Sequence, residues 1–263
     1  RGMSFSHVTK LRMVMQELFH QAYRSRLIPF DPSDGLRLPK NVKGSHRSIT
    51  EEERAHILEV AQYHPSGLWV LLILYSGLRP GEAAALQWKD IDFDKNEIHV
   101  YKAVESGTNT IKTPKTTAGI RDIPMRKELR RVLWQEHGEP FSLLFPTRKG
   151  TIRGPSGIWK LWNSFAKELD LHMGALEEDG RILQHAIAPD LTTYCLRHTF
   201  CTDLQRAGVA INIAKELMGH SSIAVTADIY THRDSNVLHE NISRLDTPTT
   251  NQVLKMGENW WGN

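Results

Sequence analysis

Two arginines, a histidine and a tyrosine stand far apart in this chain, each inside a compact local pattern. Arg79 lies in Tyr75-Ser-Gly-Leu-Arg-Pro-Gly-Glu82, and Arg197 in Tyr194-Cys-Leu-Arg-His-Thr-Phe200. His220 lies in Leu217-Met-Gly-His-Ser-Ser222, and Tyr230 closes Ala227-Asp-Ile-Tyr. A fifth residue, Lys115, opens Lys115-Thr-Thr-Ala-Gly-Ile-Arg-Asp-Ile-Pro124. These side-chain types suit transfer of a phosphodiester to a hydroxyl. Arginine offers phosphate oxygens a planar fork of donors and stays charged. A phenol attacks only after losing its proton, since its free pKa is ~10. The oxygen that leaves needs a proton, which calls for a general acid. A phosphotyrosine ester would retain the energy of the broken bond, so rejoining needs neither nucleotide nor metal.

In this order and wording the patterns resemble the boxes of the tyrosine recombinases, the phage-integrase family. The resemblance covers residues 48–245 and is closest to integrases of phages and conjugative transposons of Gram-positive bacteria. It implies a mainly α fold with a small antiparallel β-sheet. It also implies catalytic roles for Arg79, Lys115, Tyr194, Arg197, His220 and Tyr230, with Glu82 in support. Arg79 and Arg197 would bind the scissile phosphate, and Tyr230 would attack it to give a 3′-phosphotyrosyl link. Lys115 would protonate the leaving oxygen, with Lys112 as its rival for that place. His220 would hydrogen-bond the phosphate and assist proton movement at Tyr230. Tyr194 departs from the family pattern, where histidine is commonest. A phenol there can donate a hydrogen bond but is a poor proton acceptor near neutral pH. His198 reads as structural.

The same resemblance implies site-specific recombination, with double-stranded DNA at attachment or transposon-end sites as substrate. Integration and excision of a mobile element would be the outcome. Further implied partners are three more copies, forming a homotetramer on DNA, and accessory DNA-bending or excision factors. No cofactor and no metal are implied. Two other readings stay open. One is a different reaction on the same scaffold, a type IB topoisomerase or a telomere resolvase. The other is a DNA-binding regulator without activity, against which the intact set of boxes argues.

Composition narrows the class independently. An apolar fraction of 40% is enough for a sizeable core, and 24% charged residues is ordinary for a globular protein. No apolar run approaches the ~18 residues of a membrane span, and no signal-peptide pattern is present, so a cytoplasmic setting is expected. Only two cysteines occur, Cys195 and Cys201, which excludes a disulfide-rich secreted fold. Net charge is only +3, yet residues 1–47 hold nine Lys/Arg against three Asp/Glu. A second basic cluster comprises Lys112, Lys115, Arg121, Arg126, Lys127, Arg130 and Arg131. Local excess of this kind suits phosphate contacts. Its plainer reading is a solvated helix face.

These residues need elements to hold them. Residues 6–26 carry Val8, Leu11, Met15, Leu18, Phe19 and Ala22 at helical spacing. By resemblance, residues 1–30 are the last helix of a DNA-clamping core-binding domain whose earlier helices are missing, and the opening Arg1-Gly2 in place of Met suggests a trimmed chain. Pro29, Pro32, Gly35 and Pro39 make 31–47 a linker. Thr50-Glu-Glu-Glu53 is a capping box that opens a helix. Helices are predicted at 67–76 and from Pro80 to near Trp88. Strands are predicted at 90–93, 97–103, 108–114 and 120–125, with Thr116–Gly119 as a hairpin turn between the last two. Ile158, Trp159, Leu161, Trp162, Phe165 and Ala166 read as one core face of a later helix. Residues 171–191 read as a small hairpin or a loop insert. Helices follow at 193–207, 210–218, 222–229 and 234–245. A tail, 246–263, carries Val253, Leu254, Met256, Trp260 and Trp261, and the family resemblance implies that it docks on a neighbouring protomer.

Overall fold

A computed structural model describes residues 3–40, 47–105, 107–114 and 117–230, with Tyr230 described in its backbone only. The chain forms two units, residues 1–45 and 46–263. In the first, α1 (Phe5–Arg24) starts where the Ser4 side chain accepts from the His7 amide. None of its residues is buried, and Leu11 and Leu18 lie open to solvent. Asp31 then turns the chain by accepting from both the amide and the hydroxyl of Ser33, at 2.8 and 2.6 Å.

The second unit is mainly helical, with small antiparallel sheets. Its entry is pinned to a later helix. The Ile49 amide donates to Thr199 Oγ1 at 2.9 Å, and Arg47 bridges Glu53 and Asp190. Helix α2 (Glu51–Val60) has the expected capping box, Thr50 with Glu53. Helix α3 (Gly67–Ser76) is apolar nearly all round and forms the centre of the core, as a helix without a polar face must. It stops at Gly77, whose φ of 64° is left-handed. Pro80 begins the short α4 (Pro80–Ala85).

The strands are β1 (Ile91–Asp92), β2 (Glu97–Val100), β3 (Ala103–Val104), β4 (Ile111–Lys112) and β5 (Arg121–Pro124). Their pairing differs from the sequence expectation. β4 does not form a hairpin with β5. It pairs with β3, whereas β5 crosses back to pair with β2 in a sheet ordered β1-β2-β5. Burial gives the reason. Ile98 faces Ile123 and Val100 faces Arg121, and all four are buried, whereas both β4 residues are exposed. Only β2 and β5 have matching inward positions, so their register is the one that fills the core.

Helices α5 (Lys127–Gln135) and α6 (Pro155–His172) follow. In α6, Phe165 and Leu169 are buried and Ile158, Leu161 and Trp162 half-buried, but Trp159 is 62% exposed. The predicted core face is therefore one residue too wide. The 171–191 segment is a hairpin, β6 (Leu176–Glu178) with β7 (Arg181–Gln184). Asp179 and Gly180 both take positive φ, as a two-residue hairpin turn requires. Buried Asp170 fixes the segment beyond it, accepting from the amides of Ala186 and Ile187 at 2.7 and 3.0 Å. Three helices finish the unit: α7 (Thr193–Arg206), α8 (Ile211–Met218) and α9 (Ile223–Tyr230). The helix predicted at 234–245 and the tail 246–263 lie outside the described residues. Among the described residues no helix is long and apolar enough to cross a membrane.

Candidate active site

The C-terminal end of α8 organises the site. Gly219 takes a left-handed conformation, and the His220 amide closes back on the Lys215 carbonyl at 3.1 Å. The carbonyls of the last turn have no partner within the helix and carry its negative end. Three consecutive ones each accept from a different arginine. Arg121 Nε donates to Leu217 O at 2.8 Å, Arg197 Nη2 to Met218 O at 2.5 Å, and Arg79 Nη2 to Gly219 O at 2.9 Å. Gly219 is required for space as well as for φ. A Cβ there would stand 2.7 Å from Arg121 Nη1 and 3.0 Å from the Ala118 carbonyl.

Glu82, in the first turn of α4, is the counter-charge. It is 3% exposed and accepts from the Arg79 amide and Arg79 Nη1, both at 2.8 Å. It also accepts from Arg121 Nη1 at 3.2 Å and Nη2 at 2.9 Å. Burial by itself would raise its pKa, but the bonds and charge of Arg121, with Arg79, bring it down to about 2. Arg197 is buried and donates through Nη1 to the Gly77 carbonyl at the end of α3. Burial first, then the neighbouring charge of Arg79, lowers its pKa to about 9, so it remains charged at neutral pH. Gly77 matters here too, because a Cβ at that position would stand 2.3 Å from the Phe200 ring.

His220 is buried, with Nδ1 2.9 Å from Thr226 Oγ1 on α9. Burial, then the charges of Arg197, Arg79 and Arg121, push its pKa down to about 4. The imidazole is thus neutral at neutral pH. Among the described residues, three guanidiniums and one carboxylate leave the cluster with a surplus of two positive charges.

Arg79 and Arg197, 118 positions apart in sequence, therefore meet His220 at one helix end. Residues 47–236 match the family model described as the phage integrase family. The chain belongs to that family. It is 29% identical over 260 residues to a XerC-like tyrosine recombinase of Caldanaerobacter subterraneus, covering 88% of this chain and 63% of that protein. It is 26% identical over 271 residues to the transposase from transposon Tn916 of Enterococcus faecalis, covering 93% of this chain and 63% of that protein. The chain thus spans less than two thirds of the length of these curated relatives. Among solved structures, the Tn1549 transposon integrase in complex with circular intermediate DNA superposes with a TM-score of 0.71. That match is 23% identical and covers 93% of this chain and 81% of the other. At that identity it establishes the phage-integrase fold.

The remaining expected residues fall as follows. Tyr194 sits in the first turn of α7, half exposed, and lines a cavity of about 680 Å³ together with Arg79, Pro80 and Trp159. Tyr230 is the last residue of α9, and its side chain lies outside the described residues. Lys115 also lies outside them. Its rival Lys112 is exposed on β4 and forms an ion pair with Glu105, which lines the same cavity as Arg79 and Glu82. In the second basic cluster, Arg130 stacks on Phe93 and Trp134, and Arg126 on Tyr75.

Arg121 belongs in the site, although the sequence reading placed it only in that basic cluster. The signal was available. In Arg121-Asp122-Ile123 the arginine shares the inward face with an isoleucine, and a charge at such a position needs a buried partner. Three described groups have metal-ligating side chains close together, and none includes a residue of the arginine cluster. In one, His56 and Glu59 engage different ring nitrogens of His172, at 3.2 and 3.3 Å, which makes a hydrogen-bond chain.

Proposed function

We propose that the chain is the catalytic part of a tyrosine-type site-specific recombinase, acting on double-stranded DNA to integrate and excise a mobile element. The observation that carries this reading is the convergence of Arg79, Arg121 and Arg197 on one helix end, with Glu82 as the carboxylate that pairs with them among the described residues. A phosphodiester brings one negative charge to that site. Attack by a phenolate brings the transition state close to two. A preformed surplus of two positive charges therefore matches the transition state better than the bound substrate, which is what accelerates a reaction.

In this mechanism Arg79 and Arg197 hold the non-bridging oxygens. Each would exchange part of its bonding to backbone carbonyls for bonds to phosphate. Neutral His220 hydrogen-bonds the phosphate and lies one turn of α9 from the tyrosine helix end through Thr226. Tyr230 attacks phosphorus, the P–O5′ bond breaks, and Lys115 delivers the proton to the departing 5′-oxygen. Tyr194 donates a hydrogen bond at the rim. The products are a 3′-phosphotyrosyl ester and a free 5′-hydroxyl, which can attack the ester of a second duplex. Such exchange calls for a homotetramer on two duplexes, with accessory DNA-bending or excision factors. Residues 1–30 serve as the end of a DNA clamp and 31–47 as its linker to the catalytic domain, 48–245. Residues 246–263 form a tail that docks in trans.

The names of the Tn916 transposase and the XerC-like recombinase support this reading over a topoisomerase. The test is a suicide DNA substrate with a nick beside the cleavage site, scored for a covalent protein–DNA adduct and then for strand transfer between two sites. Adduct without transfer would favour the topoisomerase. No adduct would overturn the enzyme reading.

A further inference from the structure

We propose that Arg121 is a positioning residue that locks the two phosphate-binding halves of the site into register. It is buried on β5, and its guanidinium makes two sets of contacts. Nη1 and Nη2 grip both oxygens of Glu82, which in turn hold the Arg79 amide and Arg79 Nη1. Nε holds the Leu217 carbonyl, one residue before the carbonyl that receives Arg197 and three before His220. One side chain thus ties the Arg79 turn to the turn that presents Arg197 and His220. Nη1 also reaches the Gly119 carbonyl at 3.4 Å, at the end of the loop that follows Lys115. The Arg121 side chain is only 3% exposed, and its Nε, Nη1 and Nη2 are all engaged by these partners.

Lysine could supply the charge but not the two-way fork, since it lacks the planar donor array. Among the described residues, Glu82 pairs with Arg79 and Arg121, and its charge also acts on Arg197 and His220. Without Arg121, the buried Glu82 carboxylate loses its main stabilising partner and takes up a proton more readily. A protonated Glu82 holds Arg79 less firmly. Cleavage should then acquire a dependence on acid that runs through Glu82.

The inference rests on the recombinase reading, and the experiment separates the two. Single-turnover cleavage of the nicked substrate at saturating DNA is measured from pH 5 to 8 for wild type, Arg121→Lys, Arg121→Met and the double variant Arg121→Met/Glu82→Gln. Dissociation constants for the same DNA are measured alongside. Arg121→Met should cleave ~10- to 100-fold more slowly, the scale of a small misplacement of catalytic groups. Its DNA affinity should fall much less than its rate, because the buried Arg121 adds charge to the cluster while its donors are held by Glu82 and Leu217. Its rate should fall further toward pH 5, and the double variant should lack that extra fall. Arg121→Lys should recover part of the rate. Arg121→Met cleaving within about 3-fold of wild type would overturn the inference, as would an acid-side fall that persists without Glu82. If Arg121→Met does not fold, a full wild-type rate in Arg121→Lys overturns it instead. A wild-type protein that forms no adduct overturns the recombinase reading and this inference together.

Discussion

Replacing Glu82 by glutamine removes the carboxylate that pairs with Arg79 and Arg121 while keeping the side chain's size. Two routes give its cost. Breaking a buried ion pair by neutralising one partner costs about 3–5 kcal/mol, because the other charge is left buried. Independently, the carboxyl titrates at about 2 when folded against an ordinary value of 4.5. That difference is worth about 3 kcal/mol of stability at neutral pH. The sign follows from proton counting. Above pH 4.5 the carboxylate is charged in both states and the full contribution is present. As pH falls toward 2 the unfolded chain takes up the proton first, so the contribution is lost. Glu82→Gln should therefore unfold about 3 kcal/mol more easily than wild type at pH 7, and the gap should narrow to about 2 kcal/mol at pH 3.5. Urea unfolding followed by circular dichroism at both pH values reads this directly. A gap that does not change with pH would mean that Glu82 contributes by packing alone. No gap at pH 7 would refute the argument that it holds the cluster together.

Further outcomes are expected from the same geometry. Tyr230→Phe should abolish the covalent adduct on a suicide substrate and leave DNA affinity nearly unchanged, since one hydroxyl is lost; an adduct mapped by mass spectrometry to Tyr194 would contradict the assignment. Arg79→Ala and Arg197→Ala should each slow single-turnover cleavage at least ~100-fold, the usual scale for removing a charge-stabilising donor, with lysine restoring only part. His220 should titrate near 4 in the free protein, followed by NMR, and its midpoint should rise when DNA phosphate offsets the charges of Arg197, Arg79 and Arg121. Because that pKa lies below the ordinary 6.5, the same histidine lowers stability as pH falls from 6.5 to 4, and a His220→Gln variant should lose that part of the pH dependence.

Local chemistry carried much of this protein in its sequence. The capping box at Thr50, Pro80 at a helix start, and Gly77 and Gly219 at helix ends are instructions read within a few residues. So is the Asp179-Gly180 turn, which decides for a hairpin where the surrounding pattern was open. The boxes around Arg79 and His220 were legible for the same reason, because each combines a cap with a chemically specific side chain, whereas the Arg197 box was legible from its residue pattern inside a helix. Pairing of β5 with β2 across the intervening β3 and β4 was not legible. It depends on which buried faces match, and neighbours in sequence are only the default partners. Trp159 escaped for a related reason: helical spacing gives the direction of a face but not where its edge meets solvent. The role of Arg121 and the mode of holding Arg79 and Arg197 belonged to the tertiary structure alone. Their partners are backbone carbonyls at Gly77, Leu217, Met218 and Gly219, and a carbonyl is the same at every residue. Only folding selects which helix end is left open to receive three positive charges.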